Sequence, residues 1–251
     1  MAIDIYKREE QADGQFNGGA ILEKKPIGFP QDGGALRPYS NLYYWAHAWS
    51  DGGSTIGEHQ HQGFEIMSFV LTGKIEHYDS KLKGWKTLDA GDAQIIRAGN
   101  GISHAERLHA GSSIFQIWVD PDLSQTQSIP ASYDDYPGDG FPVLDEGEYD
   151  LKIFTENRLP MDMVTEDLSI FKLTGKTEQF TLILEPHMVY SVFVLKGSPG
   201  IGEQSVSEGD FFIAREEDKL DLSSALDAEL FMIKSPSKIP YRTYGERYRK
   251  A

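Results

Sequence analysis

Ser68-Phe69-Val70-Leu71-Thr72-Gly73 returns later in the chain as Val192-Phe193-Val194-Leu195-Lys196-Gly197. Gly91-Asp92-Ala93-Gln94-Ile95-Ile96 returns, in the same order, as Gly209-Asp210-Phe211-Phe212-Ile213. Each copy reads as an apolar strand, a turn ending in Gly, a variable hairpin, a Gly-Asp turn and a second apolar strand. A Gly-Asp pair before a strand is common in β proteins. Two elements in the same order in both halves are not, and they point to one β domain present twice.

Outward from the repeat, long helical periodicity is scarce. Short alternating or apolar runs are separated by Gly, Asp, Asn and Pro, the pattern of a sandwich or barrel. Tyr43 to Trp49 puts large residues at odd positions, Ile66 to Leu71 is a continuous apolar run, and Ala93 to Arg97 leads into Gly99-Asn100-Gly101. Ser113 to Val119 alternates, with Phe115, Ile117 and Val119 on one face. Residues 120–150 are acidic and broken by Pro and Gly, as in Pro137-Gly138-Asp139-Gly140. This stretch is expected to be the inter-domain connection, packed against one domain. The expected organisation is therefore all-β, with an N-terminal domain over 1–138 and a C-terminal one over 139–251.

The chain has 251 residues, of which 39% are hydrophobic and 25% charged, as in ordinary globular proteins. No apolar run approaches the roughly 20 residues that cross a bilayer, and Met1 to Gly14 lacks the apolar core of a signal peptide. A cytoplasmic protein that does not bind membranes is the expectation. A net charge of −15 argues against nucleic acid as a partner. The basic residues Arg242, Arg247, Arg249 and Lys250 read as a solvated tail. There is no cysteine, so any metal must be held by imidazole and carboxylate.

Two i, i+2 pairs carry such groups: His59-Gln60-His61 and His104-Ala105-Glu106. Side chains two apart on a strand share a face, so each pair can aim at one point. If the strands meet, three imidazoles and a carboxylate converge on one divalent ion. Fe(II) is the expected ion, with Ni, Mn, Cu, Co or Zn as alternatives. The repeat supplies an internal control. Superposing Phe69 on Phe193 puts Ile183 and Glu185 where His59 and His61 stand; superposing Gly91 on Gly209 puts Leu222 and Ser224 where His104 and Glu106 stand. The second domain is expected to be without metal. His47, His77, His109 and His187 read as core, pocket-wall or surface residues, and Tyr43, Trp45, Phe64 and Phe69 are candidates to line an apolar pocket.

The stretches Glu58 to Glu65 and Gly91 to Glu106, with Glu76-His77-Tyr78-Asp79-Ser80 and Gln116-Ile117-Trp118-Val119, resemble the motifs of the pirin family over about residues 40–120. The resemblance implies a bicupin, two tandem jelly-roll β-sandwich domains, with His59, His61, His104 and Glu106 as metal ligands. Cupins more generally take a glutamate shortly after the H-x-H, which here would be Glu65. Glu65 is expected either to orient an imidazole or to be a solvated side chain.

Two classes of function follow from the resemblance. One is a quercetin 2,3-dioxygenase type of oxidoreductase, taking a small flavonol-like aromatic substrate and dioxygen, with Glu106 as ligand and general base. The other is a non-catalytic regulatory protein whose partner is a transcription factor or metabolic enzyme. A deep apolar pocket at the metal would favour the first. An exposed apolar patch beside a plugged metal would favour the second.

Overall fold

The computed structural model describes residues 3–247, so Arg249 and Lys250 of the basic stretch lie outside the described residues. Regular structure is almost entirely β-strand. The chain forms two compact units that are interleaved in sequence. One contains Gln11–Gly140, Met163–Thr165 and the chain from Tyr241 onward; the other contains the chain up to Glu10, Phe141–Asp162 and Glu166–Pro240.

The first unit has a seven-stranded sheet, in the order Ser132–Tyr136, Ala93–Arg97, Glu65–Thr72, Ser112–Val119, Leu42–Ser50, Ile21–Ile27, Ala12–Phe16. A four-stranded sheet follows the order Ser54–His61, Ile102–Leu108, Lys74–Asp79, Trp85–Asp89. Several strands adjacent in space, such as Ser112–Val119 beside Leu42–Ser50, are far apart in sequence, the crossed connectivity of a jelly roll. Ile21, Val70, Ile75, Leu88, Leu108 and Ile114 form one apolar cluster of this unit. Phe115, Ile117 and Val119 are all completely buried, as their alternation predicts.

The second unit repeats the plan. Its larger sheet includes Ile3–Tyr6, Phe211–Arg215, Met188–Lys196, Glu229–Pro236 and Ser169–Gly175 as successive neighbours, and its smaller one pairs Gln179–Ile183 with Lys219–Ser223. Leu182, Val192, Val194, Phe212, Leu220 and Leu230 belong to its core.

The repeat is one turn used twice. Phe69 stands opposite Ala93, and Phe193 opposite Phe211. The Val70 N–H donates to the Asp92 carbonyl at 3.0 Å and the Gly91 N–H to the Val70 carbonyl at 2.8 Å. In the second copy Val194 donates to Asp210 at 3.0 Å and Gly209 to Val194 at 2.9 Å. Gly91 has φ +95° and Gly209 φ +88°, a conformation in which a Cβ is strained.

Residues 120–150 are more ordered than their composition suggests. Asp122 caps the short helix Leu123–Thr126 by accepting from the Ser124 N–H. Ser132–Tyr136 is an edge strand of the first unit, with Asp134 accepting from Arg97 at 2.6 Å and Asp135 from Gln94 at 2.5 Å. Val143–Asp145 is an edge strand of the second unit. The acidic residues that look like linker are thus partly matched by cations and amides of a neighbouring strand. Within the described residues, the segment from Tyr241 onward is anchored. Although Arg242 is exposed, Tyr241 donates from its hydroxyl to the Asp120 carbonyl at 2.7 Å.

Gly91→Ala is expected to lower stability by about 1–2 kcal/mol through backbone strain alone. The nearest atom to a Cβ there is 3.8 Å away, so no clash contributes. Urea unfolding followed by tryptophan fluorescence measures the change.

Candidate metal centre

Ser54–His61 runs antiparallel to Ile102–Leu108, with His59 opposite His104 and Ile56 opposite Glu106. Two residues on the first strand, Gly57 and Glu58, thus stand opposite the single Ala105 on the second, a bulge between Ile56 and His59. Gly57 lies within it, and its carbonyl accepts from His59 Nδ1 at 2.8 Å. A carbonyl can only accept, so the proton sits on Nδ1 and His59 Nε2 carries a lone pair.

That lone pair points at His104. His104 Nε2 is 3.0 Å from His59 Nε2 and 2.9 Å from His61 Nε2. One proton at most can be shared by each N···N pair, and three nitrogens crowded on one point leave lone pairs facing one another. A cation resolves this. With metal–nitrogen bonds of about 2.1 Å, two cis imidazoles of an octahedral ion stand about 3.0 Å apart and two of a tetrahedral ion about 3.4 Å. The donor trio therefore fits a divalent ion with room for further ligands. Burial, aided by the neighbouring imidazoles, pushes His61 down to about 3 and His104 well below the usual histidine range. Both stay neutral and able to ligate.

Glu106 is on the same strand but does not join the trio: among the described residues, the donor atoms lying within 4.8 Å of one another belong to His59, His61 and His104 alone. Glu106 is buried, its Oε1 accepting from Ser68 Oγ at 2.9 Å and its Oε2 from Gln116 Nε2 at 2.5 Å. Ser68 and Gln116 face each other across the Glu65–Thr72 and Ser112–Val119 ladder. The Trp118 indole N–H donates to Gln116 Oε1 at 3.3 Å, which turns the Gln116 amide NH₂ toward Glu106. Ser68 opens the repeat and Gln116 lies in one of the family-like stretches, but neither is among the site residues expected from sequence. The signal was there, however: Ser68 is a hydroxyl inside an apolar run, and a buried hydroxyl needs a partner.

Glu65 fits neither expectation. Only 1% exposed, it touches none of the three imidazoles. Its Oε1 accepts from the Val164 N–H at 2.7 Å, and its Oε2 accepts from the Thr165 N–H at 2.7 Å and Thr165 Oγ1 at 2.5 Å. Burial raises its pKa against the pull of these donors. It pins a distant piece of chain into this unit.

His77 is a core residue. It is fully buried in Lys74–Asp79, its Nε2 3.1 Å from Asp79 Oδ2 and its ring 5.5 Å from that of His104. His109 instead lies at the surface, 3.1 Å from Glu76. His47 stacks among Trp49 and Phe115, and His187 sits in a turn with φ +65°. Where the first unit pairs His59 with His104, the strand pair of the second faces Phe180 with Leu222 and Leu182 with Leu220, all buried.

A cleft of about 440 Å³ opens onto His61, lined also by Gln60, Gln62, Phe64, Trp118, Leu123 and Tyr244. The Trp118 ring meets the His61 ring edge-on at 4.7 Å. Of the aromatic residues singled out from sequence, Phe64 lines this cleft and Tyr43 stacks behind it at 4.6 Å, whereas Trp45 and Phe69 are fully buried in the core. Their strand position decides this: they stand where no solvent reaches.

Residues 37–119 match the sequence profile of the family described as Pirin. That match covers about a third of the chain, the part that carries the histidine trio. Escherichia coli quercetin 2,3-dioxygenase is 26% identical over 194 residues, 74% of this chain and 78% of that protein. A pirin-like protein of Caulobacter vibrioides is 43% identical over 65 residues, 25% of this chain and 28% of that protein. The crystal structure of YhhW from Escherichia coli superposes with a TM-score of 0.78 at 22% identity, covering 94% of this chain and 98% of that one. The bacterial pirin YhhW in complex with nickel(II) gives 0.76 at 23%, covering 94% and 100%. At these identities the structural likeness establishes the fold alone, a bicupin. No helix among the described residues is long and apolar enough to cross a membrane.

Glu65→Ala is expected to cost about 2–4 kcal/mol, because three donors are left buried without an acceptor. Metal stoichiometry should be unchanged, because Glu65 does not touch the trio. Denaturant melts and elemental analysis of the folded variant check the two halves of the expectation.

Proposed function

We propose that the chain is a metal-dependent dioxygenase of the quercetin 2,3-dioxygenase type, acting on flavonol-like aromatic substrates. The observation that supports this most is the opening of a ligand-sized cleft, walled by Phe64, Trp118 and Tyr244, directly onto His61. No charged side chain lines it, which suits a planar neutral polyphenol better than a phosphate or carboxylate. The alternative of a purely regulatory protein has no comparable observation in its favour.

His59, His61 and His104 would hold the ion; Glu106, outside the trio here, would become the fourth donor only by a shift of its carboxylate toward them. The ion, when bound, supplies Lewis acidity toward a flavonol hydroxyl and the redox chemistry that lets dioxygen react. Fe(II) is favoured over Zn(II) because dioxygen chemistry calls for a redox-active ion. A cytoplasmic location belongs to the same proposal, since a reducing compartment preserves Fe(II).

The rest falls to the chain's own residues. Phe64 and Trp118 orient the flat rings, and Leu123 and Tyr244 keep water from the far side. Glu106 takes the hydroxyl proton. Ser68 and Gln116 each occupy one lone pair of its carboxylate, leaving another free on either oxygen.

Protein reconstituted anaerobically with Fe, Ni, Mn, Cu, Co or Zn and mixed with quercetin tests this. Loss of the flavonol absorbance with release of carbon monoxide is expected only when oxygen and a competent ion are both present. The double variant His59→Ala/His61→Ala should reduce bound metal and turnover to background, and Glu106→Gln should slow turnover by about 100-fold. Failure to see oxygen-dependent turnover with any of these ions would remove the proposal.

A further inference from the structure

The segment from Tyr241 to Arg247 is docked on the metal-bearing unit by contacts that leave the Tyr244 ring out. The Tyr244 N–H donates to Asp120 Oδ2, and the Tyr241 hydroxyl donates to the Asp120 carbonyl at 2.7 Å. Thr243 and Glu246 cap each other: the Thr243 N–H donates to Glu246 Oε2 at 3.2 Å and the Glu246 N–H to Thr243 Oγ1 at 3.3 Å. Asp120 itself is 1% exposed, so this anchor is firmly set.

The ring that these contacts deliver completes a row of aromatic side chains leading away from the metal site. Trp118 lies 4.7 Å from His61, Phe64 lies 5.5 Å from Trp118, and Tyr244 lies 5.0 Å from Phe64 at 64°. Tyr43 backs the row, its ring 5.4 Å from Tyr244 at 88°. His61, Trp118, Phe64 and Tyr244 all border the same cleft. A one-ring ligand seated at His61 meets Trp118 and Phe64 and ends there. A three-ring ligand extends as far as Tyr244.

We propose that Tyr244 is a specificity-determining residue, setting the length of aromatic ligand that the cleft accepts by forming its outer wall. The proposal rests on the reading of this cleft as a flavonol site. It assigns a binding task to a stretch of chain that lies 125 positions beyond the end of the family match at residue 119. The hydroxyl of Tyr244 plays no part in it; the ring does.

The test uses the full chain loaded with Ni(II), kept under nitrogen so that nothing turns over, with calorimetric titration of quercetin and of catechol. Tyr244→Ala is expected to raise the Kd for quercetin about tenfold, the loss of one ring–ring contact, and to change that for catechol by less than about twofold. Tyr244→Phe should leave both near their starting values. Tyr244→Leu keeps apolar bulk without the flat ring, and should repeat the alanine result even if the alanine variant proves too unstable to titrate. An unchanged ratio of the two Kd values in Tyr244→Ala or Tyr244→Leu, with near-ultraviolet circular dichroism intact, overturns the role of Tyr244 alone. Absence of quercetin binding by the unsubstituted protein overturns the flavonol reading, and this inference with it.

Discussion

His59 standing directly across a β-ladder from His104 is the constraint on which the site depends. Side chains alternate faces along a strand, so a slip of one residue between Ser54–His61 and Ile102–Leu108 would turn the histidine pair away from its partner. The register is set by the apolar positions of the same sheet, among them Ile75, Leu88 and Leu108, which must face inward. The bulge around Gly57 then does a second job, presenting a carbonyl that keeps the proton of His59 on the nitrogen away from the cluster. Folding energy and coordination chemistry thus use the same ladder.

The second unit fills the corresponding strand pair with apolar side chains. Its strand pair brings Leu182 to Leu220 and Phe180 to Leu222, and the space closes as ordinary core. The Gly-Asp turn and the strand pairing beside it are retained in both copies. What differs between the copies is the filling, not the frame. Two imidazole nitrogens at 2.9 and 3.0 Å from that of His104 would be a poor way to fill a core, because buried polar groups without proper partners cost stability.

The repeat made the tandem β organisation legible, because a turn that demands positive φ leaves Gly in place in each copy. The two i, i+2 pairs were legible because strand parity is local. Their convergence was not, since it depends on pairing between strands more than 40 positions apart. Glu65 shows the limit most clearly. Adjacent to the histidine motif in sequence, it spends both oxygens on Val164 and Thr165, 99 and 100 positions away. The complete burial of His77 was not legible, because it is decided by what packs over its strand. Tyr244 gave no signal at all: a tyrosine near a basic stretch reads as surface until Asp120, 124 positions earlier, is seen to hold its backbone.

The interleaving of the two units bears on the order of events during synthesis. Glu106 leaves the ribosome 138 positions before Tyr244, which at about 5–20 residues per second is an interval of about 7–28 s. For that time the histidine cluster can assemble while the outer wall of its cleft does not yet exist. Metal can therefore be loaded through a wide mouth in the nascent protein and enclosed when the final segment docks, so the timing of translation is itself a window for metallation.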